Sequence, residues 1–166
     1  MISRRILLVG GTTAIAALAG CAQSKFRAYQ GPQVTSVVIF KAQRRMYLMH
    51  HQQALRALEI ELGGDPMGPK QQEGDGRTPE GTYSINRRNP NSNYHLSIGI
   101  SYPNTFDVAA AEAAGVRPGG DIFIHGTPRE ARRDDDWTAG CIAVSDREME
   151  DVYAMVPDGT IIHILP

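Results

Sequence analysis

From Val34 to Pro166 the chain is a succession of short β-branched or apolar runs broken by glycine, proline and polar turns, and only two segments carry a helical signature. Val34 to Phe40, Arg45 to Met49 and Ala54 to Leu62 read as strands of a meander, with His50-His51-Gln52-Gln53 as one of its turns. Residues 63–76 hold five glycines and two prolines and predict a loop, which leads to the tight turn Thr78-Pro79-Glu80-Gly81. Tyr83 to Ile85, Leu96 to Ile100, Ile122 to Ile124, Cys141 to Val144 and Thr160 to Leu165 add further strands, with 86–93 and 127–137 as polar loops. Asn104 suits a helix N-cap, ahead of an alanine-rich body that ends before Gly115. Ser145 and Glu148 form a second capping signal, followed by Met149, Val152, Tyr153 and Val156 on one helical face and by Pro157 as the stop. Strands that do not alternate with helices disfavour a doubly wound sheet. The expectation is a mainly β domain of seven or eight strands, a sandwich or partly closed barrel with few bare edges and two short helices at its sides.

Ahead of this domain, Arg4 and Arg5 precede an apolar stretch from Ile6 to Ala17. That stretch is shorter than the roughly 20 residues a spanning helix needs, so it reads as an export signal over residues 1–20. Leu18-Ala19-Gly20-Cys21 resembles a bacterial lipobox, in which the signal is cut before the cysteine and the thiol is acylated. Ser3-Arg4-Arg5-Ile6-Leu7-Leu8 also resembles a twin-arginine export signal. Residues 21–33 are polar, contain Gly31-Pro32, and are expected to be a lipidated tether. Residues 34–166 form the domain, and the roughly 145 residues that follow the signal suffice for one real core. Seventeen Lys and Arg against eighteen Asp and Glu, with no basic stripe, exclude nucleic acid as a natural partner.

With Cys21 assigned to a lipid, Cys141 has no cysteine left to pair with, and an unpaired cysteine in an exported protein needs a reason. It stands in Thr138-Ala139-Gly140-Cys141-Ile142-Ala143-Val144, sixteen residues after His125. A thiol near pKa 8.5 is only about 3% ionised at pH 7. Pairing with His125 would lower that pKa by about one or two units, so a thiolate nucleophile is expected. Gly140 allows a sharp turn whose amides can face a substrate carbonyl oxygen. These features point to acyl transfer.

Ile124-His125-Gly126, a charged loop, then Thr138-Ala139-Gly140-Cys141-Ile142-Ala143-Val144 resembles the L,D-transpeptidase catalytic domain of the YkuD type. Gly74-Asp75-Gly76-Arg77-Thr78-Pro79-Glu80-Gly81 is similar to that family's Thr-Pro-x-Gly segment. The resemblance implies a β-rich domain and a cysteine acyltransferase that acts on peptidoglycan stem peptides, without metal or organic cofactor. By position it implies Cys141 as nucleophile, His125 as general base, and the backbone near Ala139, Gly140 and Cys141 as oxyanion cradle. It further implies Gly126 as the backbone partner of the imidazole, and Thr138 as a hydrogen-bonding member of the site loop. The thiolate would attack the carbonyl of the diamino-acid residue at position three of a tetrapeptide stem, expel D-alanine, and pass the acyl group to an amine.

Two positions depart from the commonest family pattern: Ala139 where His is frequent, and Ala143 where Arg or Asn is frequent. Asp-Trp-Thr-x-Gly-Cys-Ile-Ala resembles a subgroup that includes murein hydrolases, which pass the acyl group to water, trim stems and can release wall-linked lipoprotein. A lipid-anchored wall-binding module without catalysis is the reading from another class, and it leaves the paired Cys and His motifs without a use. The resulting expectation is an enzyme of the bacterial periplasm or cell envelope, lipid-anchored at Cys21.

The remaining candidates have plain alternatives. His95 is a candidate for the substrate cleft, and Arg77 either meets a substrate carboxylate or is an exposed turn charge. His50 and His51 are expected in solvent and His163 in a structural role. Asp134-Asp135-Asp136 is expected to be a solvated run, since no second cluster with ligand spacing accompanies it. Trp137 is expected to pack the site loop.

Overall fold

Alternation of apolar and polar residues lets each strand bury one face, and the first two strands show it directly: in β1 (Ser36–Phe40) and β2 (Arg45–His50) Val37, Ile39, Met46 and Leu48 are wholly buried. Burying each such side chain contributes about 1.5–3 kcal/mol. The computed structural model describes residues 24–127 and 136–166. The leader, the lipobox with Cys21, and Asp134 and Asp135 lie outside the described residues.

The strands β3 (Gln53–Glu59), β4 (Gly81–Asn89), β5 (Ser97–Ile100), β6 (Phe123–Thr127), β7 (Ile142–Ser145) and β8 (Ile161–Leu165) complete one sheet in the order β3-β2-β1-β8-β4-β5-β6-β7. The meander β1-β2-β3 is antiparallel, while β1 with β8 and β6 with β7 are parallel pairs. The two edges approach one another just after β3. Glu61 exchanges backbone hydrogen bonds with Ala143 of β7 at 2.9 and 2.8 Å, and Gly63 bridges to Thr138. The sheet is therefore an almost closed barrel. Closure requires glycine at 63, because a Cβ there would lie 1.9 Å from the Gly76 carbonyl oxygen and 2.9 Å from Gly140 Cα.

The two helices have the caps their sequences predict. Helix α1 (Thr105–Ala113) starts on Asn104, whose side chain accepts from Phe106 and Asp107 amides, and Gly115 follows its C-cap with φ +70°. Helix α2 (Asp146–Met155) starts on the reciprocal Ser145–Glu148 box and buries Met149, Val152 and Met155, packing on β5, β6 and β7. It thereby backs the strand pair that carries His125 and leads from Cys141.

Several boundaries differ from the sequence reading, and strand β3 stops at Glu59 rather than Leu62. Strand β1 begins at Ser36 rather than Val34. Strand β4 continues through Asn86-Arg87-Arg88-Asn89, read above as loop, because Arg87, Arg88 and Asn89 pair with β5 beyond a register shift at Asn86. Strand β6 runs two residues beyond His125, which sits at its centre rather than its end.

The loop of residues 63–76 is held from below by Lys41, a nearly fully buried side chain. Its Nζ donates to the Gly68 carbonyl at 2.6 Å, the Thr78 carbonyl at 2.9 Å and Glu80 Oε1 at 2.9 Å. Residues 24–33 lie along the domain: Lys25 Nζ donates to the Pro90 and His95 carbonyls, and Arg27 pairs with Glu150 and Asp151 of α2.

Candidate active site

Parallel pairing of β6 with β7 sets His125 opposite Ala143 and Ile124 opposite Ile142. One step earlier, Cys141 falls opposite Phe123, on the sheet face shared with His125, since alternate residues share a face. The Phe123 amide donates toward the Cys141 sulfur, and Sγ lies 3.6 Å from the Asp121 carbonyl oxygen.

His125 is buried, and its Nδ1 lies 2.8 Å from the Gly126 carbonyl oxygen. A carbonyl only accepts, so Nδ1 carries the proton and the neutral ring keeps its lone pair on Nε2. The ring is enclosed by aromatic neighbours: Tyr94 stacks on it at 4.5 Å and 30°, and Trp137 meets it edge-on at 5.8 Å. Trp137 Nε1 donates to Glu61, so the residue that closes the barrel also anchors the indole.

The turn before the thiol is built by Thr138. Its hydroxyl donates to the Cys141 carbonyl at 2.8 Å and accepts from the Gly140 amide at 3.1 Å, while its carbonyl accepts from Gly64 at 3.0 Å. Gly140 has φ +124°, and a Cβ there would lie 2.6 Å from the Arg77 carbonyl oxygen, so no other residue fits without strain. The Gly140 amide is engaged inside the turn.

Burial pushes the Cys141 thiol up from its ordinary value, with Asp121 adding to the rise and the Phe123 amide and Lys70 opposing it. Burial also pushes the His125 imidazole down, against the pull of the Gly126 carbonyl and Glu61. Both shifts favour the uncharged pair. The thiolate–imidazolium pair expected from the sequence would have to overcome this desolvation of a buried imidazole and a half-buried thiol.

An open cleft of about 840 Å³ is lined by Ala139, by Asp121, whose carbonyl oxygen lies 3.6 Å from Sγ, and by Lys70, Arg87, Tyr102 and Arg117 among others; neither Cys141 nor His125 lines it. Ala143, by contrast, is wholly buried in the Glu61 bridge. His95 turns its Nε2 to Glu150 Oε1 at 3.0 Å, and Arg77 Nε donates to Asp65 at 2.9 Å, so each has a partner within the protein. His50 Nδ1 meets the Gln33 carbonyl, His51 is exposed, and His163 Nδ1 meets Thr82 Oγ1. Asp136 binds Arg44 and accepts from the Leu62 amide at 2.7 Å. Tyr94, Glu61, Lys70 and Asp121 were not singled out in the sequence. Only the aromatic placed directly before His95 offered a signal.

An almost closed β barrel with a histidine on one strand and a cysteine immediately before the adjacent parallel strand is the arrangement of an L,D-transpeptidase-like domain. The chain belongs to the YkuD L,D-transpeptidase catalytic domain family, whose model matches residues 34–164. YafK of Escherichia coli is 31% identical over 126 residues, 72% of this chain and 46% of that protein. The helical cell shape determining protein Pgp2 of Campylobacter jejuni, solved as a K307A mutant, is 28% identical with TM-score 0.61 over 82% of this chain and 48% of that one. An L,D-transpeptidase of Mycobacterium smegmatis shares the fold at 15% identity, TM-score 0.54, over 80% of this chain and 59% of that one. The chain spans about half the length of YafK and Pgp2.

Proposed function

We propose that the protein is a peptidoglycan L,D-transpeptidase that acts on tetrapeptide stems through a thioester on Cys141, in remodelling of the cell wall. The observation that supports this reading is the β6–β7 register which, continued one step to Phe123 and Cys141, puts Cys141 and His125 on one face, with an open cleft bordering the nearby Ala139 and Asp121. On this reading both groups start neutral, and proton transfer accompanies attack. The thiol proton passes to His125 Nε2 as the sulfur–carbon bond forms at the position-three carbonyl. The Cys141 amide receives the oxyanion, since the Gly140 amide is already used by Thr138. The carbon–nitrogen bond then breaks, His125 returns the proton to the departing D-alanine amine, and an acceptor amine resolves the thioester.

Hydrolysis is the second reading, favoured by one feature: Ala139 lines the cleft with a methyl group where a larger side chain would narrow the approach of water. In either case the enzyme works in the bacterial envelope, with Cys21 as its lipid anchor and stem peptides, or a wall-linked lipoprotein, as substrates. The test supplies a tetrapeptide donor with and without an amine acceptor and follows D-alanine, tripeptide and cross-linked dimer. Dimer supports transfer. Tripeptide alone at saturating acceptor replaces transfer by hydrolysis, and no D-alanine from any donor rejects both.

A further inference from the structure

Three cationic side chains line the cleft beside Cys141, and they are not equivalent. Arg87 and Arg117 are solvent-exposed, and each already faces a carboxylate, Asp121 at 2.9 Å and Glu73 at 3.3 Å. Water and these partners leave them little attraction for a further anion. Lys70 also has a carboxylate partner, Asp75 at 2.7 Å, but its side chain is 3% exposed, so water screens its charge least of the three.

An ammonium has three N–H donors. Lys70 Nζ gives one to Asp75 Oδ1 at 2.7 Å and one to the Gln72 carbonyl at 3.0 Å. The third has no acceptor among the described residues, and the lysine borders the cleft. Holding the loop does not explain the residue. Asp75 also accepts the amides of Gln71, Gln72 and Arg77 at 2.7, 3.0 and 3.0 Å, which fold residues 71–77 without a cation. A buried ammonium costs several kcal/mol of desolvation, and an apolar side chain would fill the same space without it. Lys70 also acts on the reacting group, where its charge opposes the rise of the thiol pKa.

We propose that Lys70 is a specificity-determining residue, which binds a free carboxylate of the acyl donor in the cleft beside Cys141. The proposal rests on the acyl-transfer reading for the identity of the donor, and on the spare donor and low exposure of Lys70 for the binding. The carboxylate supplies the third acceptor beside Asp75 and the Gln72 carbonyl, while Arg87 and Arg117 keep their own partners at the rim.

The test uses two probes of Cys141 that differ only in charge, iodoacetate and iodoacetamide, on the full chain at low salt. The ratio of their alkylation rates is expected to fall roughly fivefold to tenfold in Lys70→Met and to recover in large part in Lys70→Arg. Lys70→Gln, which retains a donor to Asp75, guards against misfolding and is expected to lose the preference as well. In turnover, Lys70→Met is expected to raise KM roughly tenfold for a tetrapeptide donor with free carboxylates and to leave KM unchanged for the same donor with its carboxylates amidated. Equal alkylation ratios in all variants would overturn the proposal, as would an equal loss for acid and amide donors. Alkylation needs no turnover. A protein that shows the charge preference but releases no D-alanine would tell against the acyl-transfer reading alone.

Discussion

Lys41 and Lys70 are both buried and both serve the same glycine-rich loop, yet one is saturated and the other is not. Lys41 gives all three N–H groups to protein acceptors, two carbonyls and Glu80. Lys70 gives two, and faces the cleft with the rest. The first is a staple that ties the loop to the turn after β1; the second is a staple on one side only. The same contrast separates the two halves of the barrel. Around β1 and β2 the inward side chains are apolar and wholly buried, whereas around β6 and β7 burial bears on two titratable groups, pushing the Cys141 thiol up and the His125 imidazole down.

The comparison breaks most easily at Lys41. Lys41→Met leaves Glu80 and two carbonyls without their donor and is expected to cost about 3 kcal/mol of stability in denaturant unfolding. Lys70→Met is expected to cost less, about 2 kcal/mol, because Asp75 loses its cation but keeps three backbone donors. Equal losses would erase the distinction. Next in size, Gly140→Ala meets the Arg77 carbonyl at 2.6 Å in a left-handed conformation, and about 2 kcal/mol is expected. Its alkylation by iodoacetamide should slow as the turn gives way.

Smaller effects come from pH. The imidazole of His125 titrates lower in the folded chain than its ordinary 6.5, so the unfolded chain takes up a proton first. Its contribution is therefore full above about pH 6.5 and is lost as pH falls toward the folded value. Cys141 is raised above its ordinary 9.0, so its contribution is present below that value and fades as pH rises past it. Thermal unfolding of the wild type should be flattest between these limits, and His125→Gln should remove the acid-side slope. Asp75, held down to about 2 by Lys70 and backbone amides against its burial, keeps its contribution above about pH 4 and loses it toward pH 2. The smallest expected change is His95→Ala, under about 1 kcal/mol, since Arg27 still holds Glu150.

Much of this was legible in the sequence for a local reason. Caps at Asn104 and Ser145, the apolar face of α2, and the runs of β1, β2 and β8 are written in neighbouring residues and need no tertiary context. Cys141, His125, Gly140 and Thr138 were legible because they share two short motifs. The extension of β4 was not, since Asn86-Arg87-Arg88-Asn89 looks like loop, and Arg88 earns its place by covering the Tyr153 ring at 4.7 Å. Tyr94, Glu61 and Lys70 come to the site from three separate segments, and only barrel closure brings them there. The desolvation that opposes a thiolate was not legible for the same reason: attraction can be read from residue types, but burial requires the fold.

The central claim is that Cys141 carries the acyl group. Purified protein should be mixed with a tetrapeptide donor, quenched in acid within a turnover, and its intact mass and active-site peptide measured. The account predicts an adduct equal to the donor minus D-alanine, on the peptide containing Cys141, labile to hydroxylamine and absent in Cys141→Ala. D-alanine release that persists in Cys141→Ala, or an adduct mapped to any other residue, would contradict it.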